Sequence, residues 1–400
     1  MYRFSFKSIL CIATAATLAL AGCGPSRSVG QQGTQNPQQQ GGSVTVPAFN
    51  PNEKVTLALL APQSGPRQGA VKLGQSLVNA ARMGMVDLGE RQLELKVYDT
   101  GGDPARAGQV ARRAMADGAD IILGPLFSSS TKSVARVAQP AGIKVLSFST
   151  DASAAGGPVW LTGFLPEMEA RRVLSYAASQ GRSSVGVFYP QTPYGQAALR
   201  GAQQAQREGR TQIVGTGAFQ PGFNGVQNGA GAFANASRGA DAVLIATSGT
   251  DLQAAGTFMD YNNFNPSRVK FLGLGQWFSG ATLKERTLRG GWFPAPDVDR
   301  SNAFSARYAQ KFGAKPRLVA VLGYDAVMVA GRLFRDARAS GNRELFPTQL
   351  LLRPAGFEGG LGPVRFTRDG LSERSLAILE VGQRNFRTVD PAPRAFGAGS

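Results

Sequence analysis

The sequence predicts an α/β fold made of two similar units with parallel sheets. Short apolar runs of strand length alternate with segments of helical periodicity from Val55 onward, and the alternation starts again after Phe164-Leu165-Pro166. Such alternation favours parallel pairing of the strands with right-handed crossovers. With 42% apolar residues in 400, the chain is long enough for two lobes rather than one core.

The first lobe begins with a strand that is buried on both faces. Val55 to Leu60 is an almost continuous apolar run, which is typical of a central parallel strand. Asp103 followed by Pro104 indicates an N-cap and the first residue of a helix. The predicted elements are strands at 55–60, 92–97, 120–123 and 143–148, and helices at 71–88, 104–117 and 131–138.

The second unit repeats this order after residue 166. The sequence predicts helices at 167–179, 194–208 and 252–261, and strands at 184–189, 212–217, 242–246 and 269–274. Two further helices are predicted at 302–312 and 318–337. Segments 362–369 and 376–389 alternate apolar and polar residues, which indicates antiparallel edge strands.

Residues 1–22 are predicted to be an export signal, because Arg3 and Lys7 precede an apolar stretch too short for a permanent membrane span. Leu20-Ala21-Gly22-Cys23 resembles a bacterial lipoprotein box, in which Cys23 would be acylated; a plain signal peptide with a coincidental cysteine is the alternative. Residues 23–53 are rich in Gln, Gly, Pro and Ser, which predicts a disordered tether. We expect a lipid-anchored protein outside the cytoplasm.

Composition argues against catalysis and against bound cofactors. The chain has no histidine, and its only cysteine besides Cys23 is Cys11, so metal, haem and iron–sulfur sites lack their usual ligands. Serine and cysteine nucleophiles would also lack a histidine base. Ser129 to Lys132 spells S-x-x-K, but its companion motifs are missing. We therefore expect a non-catalytic protein without metal or cofactor. The net charge of +17 comes from scattered residues, which does not favour nucleic-acid binding.

Several motifs resemble those of the leucine/isoleucine/valine-type solute-binding proteins. The resemblance implies a type I periplasmic-binding fold, with two doubly wound parallel-sheet lobes joined by three crossovers and a ligand cleft between them. It divides the chain into one lobe of 54–163 plus 297–356 and another of 164–296 plus 357–392. The motifs are Pro62 to Pro66, Tyr98 to Thr100, Gly124 to Thr131, Tyr194-Gly195, Tyr324 to Ala326 and Phe357 to Pro363.

A narrower resemblance is to the penicillin-binding protein activator lipoproteins. It rests on Phe148 to Gly156, Gly163 to Pro166 and Leu288 to Pro296. This family implies a non-catalytic, membrane-tethered regulator that promotes peptidoglycan synthesis by docking on a penicillin-binding protein.

Ligand-facing positions of the solute-binding family match Ser128, Ser149, Thr150 and Tyr194 in this sequence. In open α/β sheets, ligands bind beyond the carboxyl ends of the strands. Ser128 and Ser129 would lie near a helix N-terminus there, which suits a carboxylate, although both could simply be N-caps.

Two positions depart from the amino-acid-binding pattern. Asp151 replaces a threonine near the ligand carboxylate, and Gln276 lies at the strand end where the family carries an acid for the ammonium group. Asp151 could meet an ammonium group or an arginine, or could cap a loop.

Two hypotheses follow. The first is a penicillin-binding protein activator, sorted to the outer membrane because Gly24 rather than Asp follows Cys23. The alternative is the solute-binding receptor of an ABC importer for branched-chain or other amino acids or amides.

Overall fold

Two open sheets with the same order of parallel strands form the framework of the protein. The structure is a computed structural model that describes residues 54–397. The predicted signal peptide, Cys23 and the tether lie outside the described residues. Within residues 54–397, no helix combines the length and apolar character needed to cross a membrane, and no group of three or more His, Cys, Asp or Glu side chains could hold a metal ion.

The first lobe contains a five-stranded parallel sheet with strand order β2-β1-β3-β4-β5. Alternate residues of β1 point to opposite faces: Leu57 packs towards α1, whereas Ala58 packs towards α2 and α3. The sheet is therefore covered on both faces. The elements are β1 (Val55–Ala61), α1 (Gln68–Leu88), β2 (Leu93–Asp99), α2 (Pro104–Ala116), β3 (Ala119–Leu123), α3 (Ser128–Ala138), β4 (Lys144–Ser147) and β5 (Val159–Leu161).

The second lobe contains a seven-stranded sheet with order β15-β14-β10-β9-β8-β6-β7. Its parallel part repeats the order of the first sheet, and β14 and β15 extend it as antiparallel strands. The elements are α4 (Pro166–Ser179), β6 (Ser184–Pro190), α5 (Pro193–Arg207), β7 (Gln212–Phe219), α6 (Phe223–Ala236), β8 (Ala242–Ile245), α7 (Gly249–Tyr261), β9 (Lys270–Leu272), β10 (Trp292–Ala295), β14 (Ala377–Val381) and β15 (Phe386–Asp390).

The segment between β10 and β14 returns to the first lobe. Its helix α9 packs along α1, and its three short strands form a small antiparallel sheet. The chain thus crosses between lobes at residues 162–165, 296–297 and 375–376. The elements are α8 (Val298–Phe312), α9 (Val321–Ala339), α10 (Thr348–Leu351), β11 (Phe357–Gly359), β12 (Gly362–Phe366) and β13 (Ser372–Arg374).

The small sheet packs in a different lobe from the one expected for its residues. Phe357, Val364 and Phe366 share a hydrophobic core with α1 and α9, whereas the expected boundary assigned residues 357–392 to the second lobe. We propose that the third crossover, at residues 375–376, marks the boundary instead.

The predicted fold class is confirmed, and the elements that were not predicted include β5, α6 and β10. Strand β5 has three residues, α6 contains three glycines that lower its helix propensity, and β10 contains Pro294. Each lacks the apolar run or the helical periodicity from which the neighbouring strands and helices were predicted. Trp277 and Phe293 are buried in the second lobe.

A buried ion pair joins the crossovers to the first lobe. Arg374 Nη1 lies 2.8 Å from Asp325 Oδ2, and the two side chains are 5% and 1% exposed. Asp325 also accepts a hydrogen bond from the Gly360 N–H at 2.7 Å. The Arg374 guanidinium donates twice to the Thr162 carbonyl, at 3.0 and 2.6 Å, and lies over the ring of Phe164. Both partners are therefore satisfied without water.

Asp325→Ala is expected to lower the free energy of unfolding by about 3–5 kcal/mol, because it leaves the Arg374 guanidinium buried and unpaired. Urea unfolding followed by circular dichroism measures this loss. Arg113→Ala is the control, since it removes an ion pair whose arginine is 78% exposed and is expected to cost less than about 1 kcal/mol. Equal losses in the two variants would contradict the structural role of the Arg374–Asp325 pair.

Candidate functional site

A cavity of about 350 Å³ lies at the carboxyl ends of strands from both lobes. Three segments line it: the connection from β3 to α3, the residues after β4, and the connection from β6 to α5. This is the position at which open α/β sheets bind ligands. The volume lies at the lower end of the range for small-molecule sites. We call this cavity the cleft.

Five of the seven predicted ligand residues line the cleft, and two do not. Ser149 is buried, whereas Thr150 is exposed at the rim. Ser129 is exposed on α3 and Gln276 is exposed after β9, and neither belongs to the wall. The residues brought together are Ser128, Ser149, Thr150, Asp151 and Tyr194.

The N-terminus of α3 faces the cleft without a side-chain cap. The N-cap residue is Phe127, whose side chain cannot accept a hydrogen bond, so the alternative that Ser128 or Ser129 is the N-cap is wrong. The first N–H groups of a helix have no partner within the helix, and they carry the positive end of its dipole. Ser128 adds a hydroxyl group beside them. This end of the cleft therefore favours an anionic group, such as a carboxylate.

The N-terminus of α5 forms the facing wall from the second lobe. Here Thr192 is a conventional N-cap, because its Oγ1 accepts a hydrogen bond from the Gly195 N–H at 3.2 Å. Pro193 and Tyr194 follow in the first turn and also line the cavity. Two helix N-termini thus converge on one cavity, and only the one at α3 lacks a side-chain cap.

Asp151 supplies the negative charge on the cleft wall. Burial opposes its ionisation, but the hydroxyl and N–H of Ser153, the hydroxyl of Ser128 and the charge of Lys132 lower the pKa of Asp151 on balance. The carboxylate accepts both hydrogen bonds from Ser153, at 2.7 and 3.0 Å, and lies 3.8 Å from Lys132 Nζ. Asp151 therefore caps the turn at residues 152–154, which was one of its predicted roles, and it is ionised at neutral pH.

Glu169 lies beneath the cleft and was not predicted. Its side chain belongs to α4, is buried, and accepts a hydrogen bond from the Gly275 N–H at 3.0 Å. Burial raises the pKa of Glu169 to about 7. The neighbouring Tyr194 phenol has a pKa raised well above its usual value by burial and by this carboxylate. Among residues 54–397, the Tyr194 hydroxyl has no hydrogen-bond partner of acceptable geometry.

Two features of the sequence are explained by this carboxyl group. Glu169 shares its helix face with Val173 and Ala177, so an acid interrupts an otherwise apolar stripe. That interruption is the signal by which it could have been found. A Cβ at residue 275 would lie 2.4 Å from Glu169 Oε1, so a larger residue than Gly275 would displace this carboxyl group. Gln276 is exposed and has no acidic group. The acidic side chain next to this strand end is that of Glu169, which is buried.

Comparison with known proteins agrees with this architecture. Residues 54–385 match the family described as periplasmic binding protein. The chain belongs to this family. Family membership implies a location in the periplasm. No curated protein sequence matches the chain significantly.

Several solved structures share this fold at low sequence identity. A putative branched-chain amino acid ABC transporter protein from Rhodospirillum rubrum is 20% identical, with a TM-score of 0.71 over 84% of this chain and 100% of that one. A leucine binding protein from Thermotoga maritima is 18% identical, with a TM-score of 0.59 over 86% and 99%. A solute-binding protein from R. palustris in complex with benzoate is 17% identical, with a TM-score of 0.60 over 86% and 98%.

The raised pKa of Glu169 predicts a dependence of stability on pH. Between about pH 4.5 and 7 the unfolded chain releases this proton while the folded chain keeps it, so the Glu169 contribution to stability falls as pH rises and is constant above pH 7. Glu169→Gln should therefore gain roughly 2–3 kcal/mol relative to the unsubstituted protein between pH 5 and pH 8. Urea unfolding at the two pH values measures the gain.

The matched control for this prediction is Glu344→Gln. Its carboxylate is 52% exposed and lies at the surface beside Lys144. A difference between pH 5 and pH 8 of the same size in Glu344→Gln and Glu169→Gln would contradict the assignment of the effect to burial.

Proposed function

We propose that the protein is a non-catalytic receptor that binds a small amino acid, which is a zwitterion, or a small amide for an ABC importer. The observation that carries this proposal is the juxtaposition of an uncapped helix N-terminus and an ionised carboxylate in one cavity. The N–H groups at the start of α3 would receive the ligand's carboxylate or amide oxygen. Asp151, on the neighbouring wall, would receive its ammonium group.

The polar side chains of the cleft support this arrangement. Ser128 offers a hydroxyl beside the α3 N–H groups. The Ser149 hydroxyl already accepts a hydrogen bond from the Asp151 N–H at 3.1 Å, which holds the Asp151 backbone in place. Tyr194 comes from the second lobe, so a ligand that contacts it and Ser128 would bridge the lobes.

The known relatives favour a receptor over a regulator of a synthase. The structures reported above are described as a putative branched-chain amino acid ABC transporter, a leucine binding protein and a solute-binding protein in complex with benzoate. Their ligands differ, and at this level of identity only the fold is common. The chemical class of the ligand is therefore argued from the cleft of this chain.

A penicillin-binding protein activator is the second candidate. One observation favours this candidate. Gln276 is exposed, and Glu169, the acid next to the same strand end, is buried beneath Tyr194. The cleft therefore lacks the acid that the amino-acid-binding pattern expects at this position. In this proposal the protein is anchored in the outer membrane through a lipid on Cys23 and docks on a penicillin-binding protein. Incorporation of labelled fatty acid, abolished by Cys23→Ser, tests the anchor in either case.

Ser128→Ala is expected to weaken binding of the ligand by about tenfold or more, because it removes a hydrogen bond to a charged group. The ligand is first sought among amino acids and amides by thermal shift, since a ligand at a hundred times its Kd stabilises by about 2.7 kcal/mol. Isothermal titration calorimetry then compares the variants.

Ser129→Ala is the matched control, because Ser129 is the adjacent serine and lies outside the cleft wall. Equal affinities in the two variants would contradict the assigned site. If no amino acid or amide stabilises the protein while a purified penicillin-binding protein binds it, the second candidate replaces the first.

A further inference from the structure

A second cavity, of about 310 Å³, lies between α4 and the small sheet and shares no lining residue with the cleft. One wall of the cavity is formed by α4, through Met168, Arg171, Arg172 and Ser175. Their spacing of three and four places them on one face of α4, away from the face that packs on the second sheet. The other walls are β12, β13 and the C-terminal segment 393–397.

Arg171 shares its two carboxylate partners, which also line the cavity, with other arginines. Its Nη2 lies 2.8 Å from Glu208, which Arg210 also contacts at 3.2 Å. Its Nη1 lies 3.6 Å from Glu373, which Arg365 contacts more closely at 2.6 Å. Both carboxylates are therefore shared with another arginine, and the contact with Glu373 is long.

The remaining donors of Arg171 are poorly satisfied. Its Nε is buried and has no hydrogen-bond partner among the described residues. Its Nη1 also points at the sulfur of Met168, 3.4 Å away, which is a weak acceptor. A buried donor without an acceptor is unfavourable, and an anion entering the cavity would satisfy it.

One part of the lining is apolar, although most of the lining residues are charged or polar. Leu376, Pro393 and Phe396 line the cavity together with Met168. The ring of Phe396 lies 4.6 Å from the guanidinium of Arg365. A hydrogen bond from the Ser375 hydroxyl to the Pro393 carbonyl holds the C-terminal segment over the cavity. The site thus combines guanidinium donors with an apolar wall.

We propose that this cavity is a second binding site, for a small organic carboxylate with an apolar body, and that Arg171 anchors the carboxylate. The N–H groups of the Arg171 guanidinium that Glu208 and Glu373 leave unused would donate to the carboxylate, and the apolar part of the wall would cover the body of the ligand. A hydrated inorganic anion would leave that wall without a contact.

The test is calorimetric titration of the full-length protein with octanoate. Acetate tests the need for the apolar body, and octylamine and octanol test the need for the negative charge. Octanoate is expected to bind at least about tenfold more tightly than each of the other three probes. Equal binding of octylamine or octanol, or no binding of octanoate, would overturn the proposal.

Arg171→Ala is expected to weaken octanoate binding about tenfold or more. The variant should fold, because Glu208 and Glu373 keep Arg210 and Arg365 as partners. Should it not fold, Arg171→Lys keeps the charge, loses the guanidinium group and is expected to bind several-fold more weakly. Arg113→Ala, at an exposed arginine outside the cavity, controls for the loss of one positive charge.

The Ser128→Ala variant distinguishes octanoate binding in this cavity from octanoate binding in the cleft. It is expected to bind octanoate as the unsubstituted protein does, even if no ligand for the cleft is found. Octanoate binding that is unchanged in Arg171→Ala, or that is lost in Ser128→Ala, would show that the carboxylate does not bind at Arg171.

Discussion

The buried pair of Arg374 and Asp325 is the interaction on which the junction of the lobes depends. Arg374 ends the small sheet directly before the third crossover, and Asp325 belongs to α9 of the first lobe. The same guanidinium holds the Thr162 carbonyl at the first crossover. One buried charge pair therefore ties two crossovers to one helix. Buried pairs add little net stability compared with apolar residues, but each partner requires the other in place.

Helix α4 begins at this junction and serves both cavities. Successive residues of an α-helix are about 100° apart, so Glu169 and Arg171 point to opposite sides of α4. Glu169 lies beneath Tyr194 and Gly275 at the cleft, whereas Arg171 lines the cavity beside the small sheet. A carboxyl group with a raised pKa and an incompletely paired guanidinium are thus held on one rigid element, a few residues after the first crossover.

Local patterns predicted the framework well because central parallel strands and helix caps are local signals. The run at Val55 and the N-cap at Asp103 are both found in the structure. The motif-based prediction grouped Ser128, Ser149 and Tyr194, which the fold brings to one cavity. Glu169 was missed because its hydrogen-bond partner, Gly275, lies far along the chain. Gln276 was wrongly assigned to the cleft because its exposure depends on the turn around Trp277. The partners in such contacts cannot be identified from local periodicity, although the acid in the apolar stripe of α4 marks Glu169 as unusual.

In the proposed function, the cleft binds both charged ends of a zwitterion. The most direct measurement compares, by calorimetry, an aliphatic amino acid such as leucine with two analogues, one without the ammonium group and one without the carboxylate. We predict that leucine binds and that each analogue binds at least about tenfold more weakly, because each analogue loses its contact with either the α3 N-terminus or Asp151. Equal binding of an analogue, or no binding by any aliphatic amino acid, would contradict this account of the cleft.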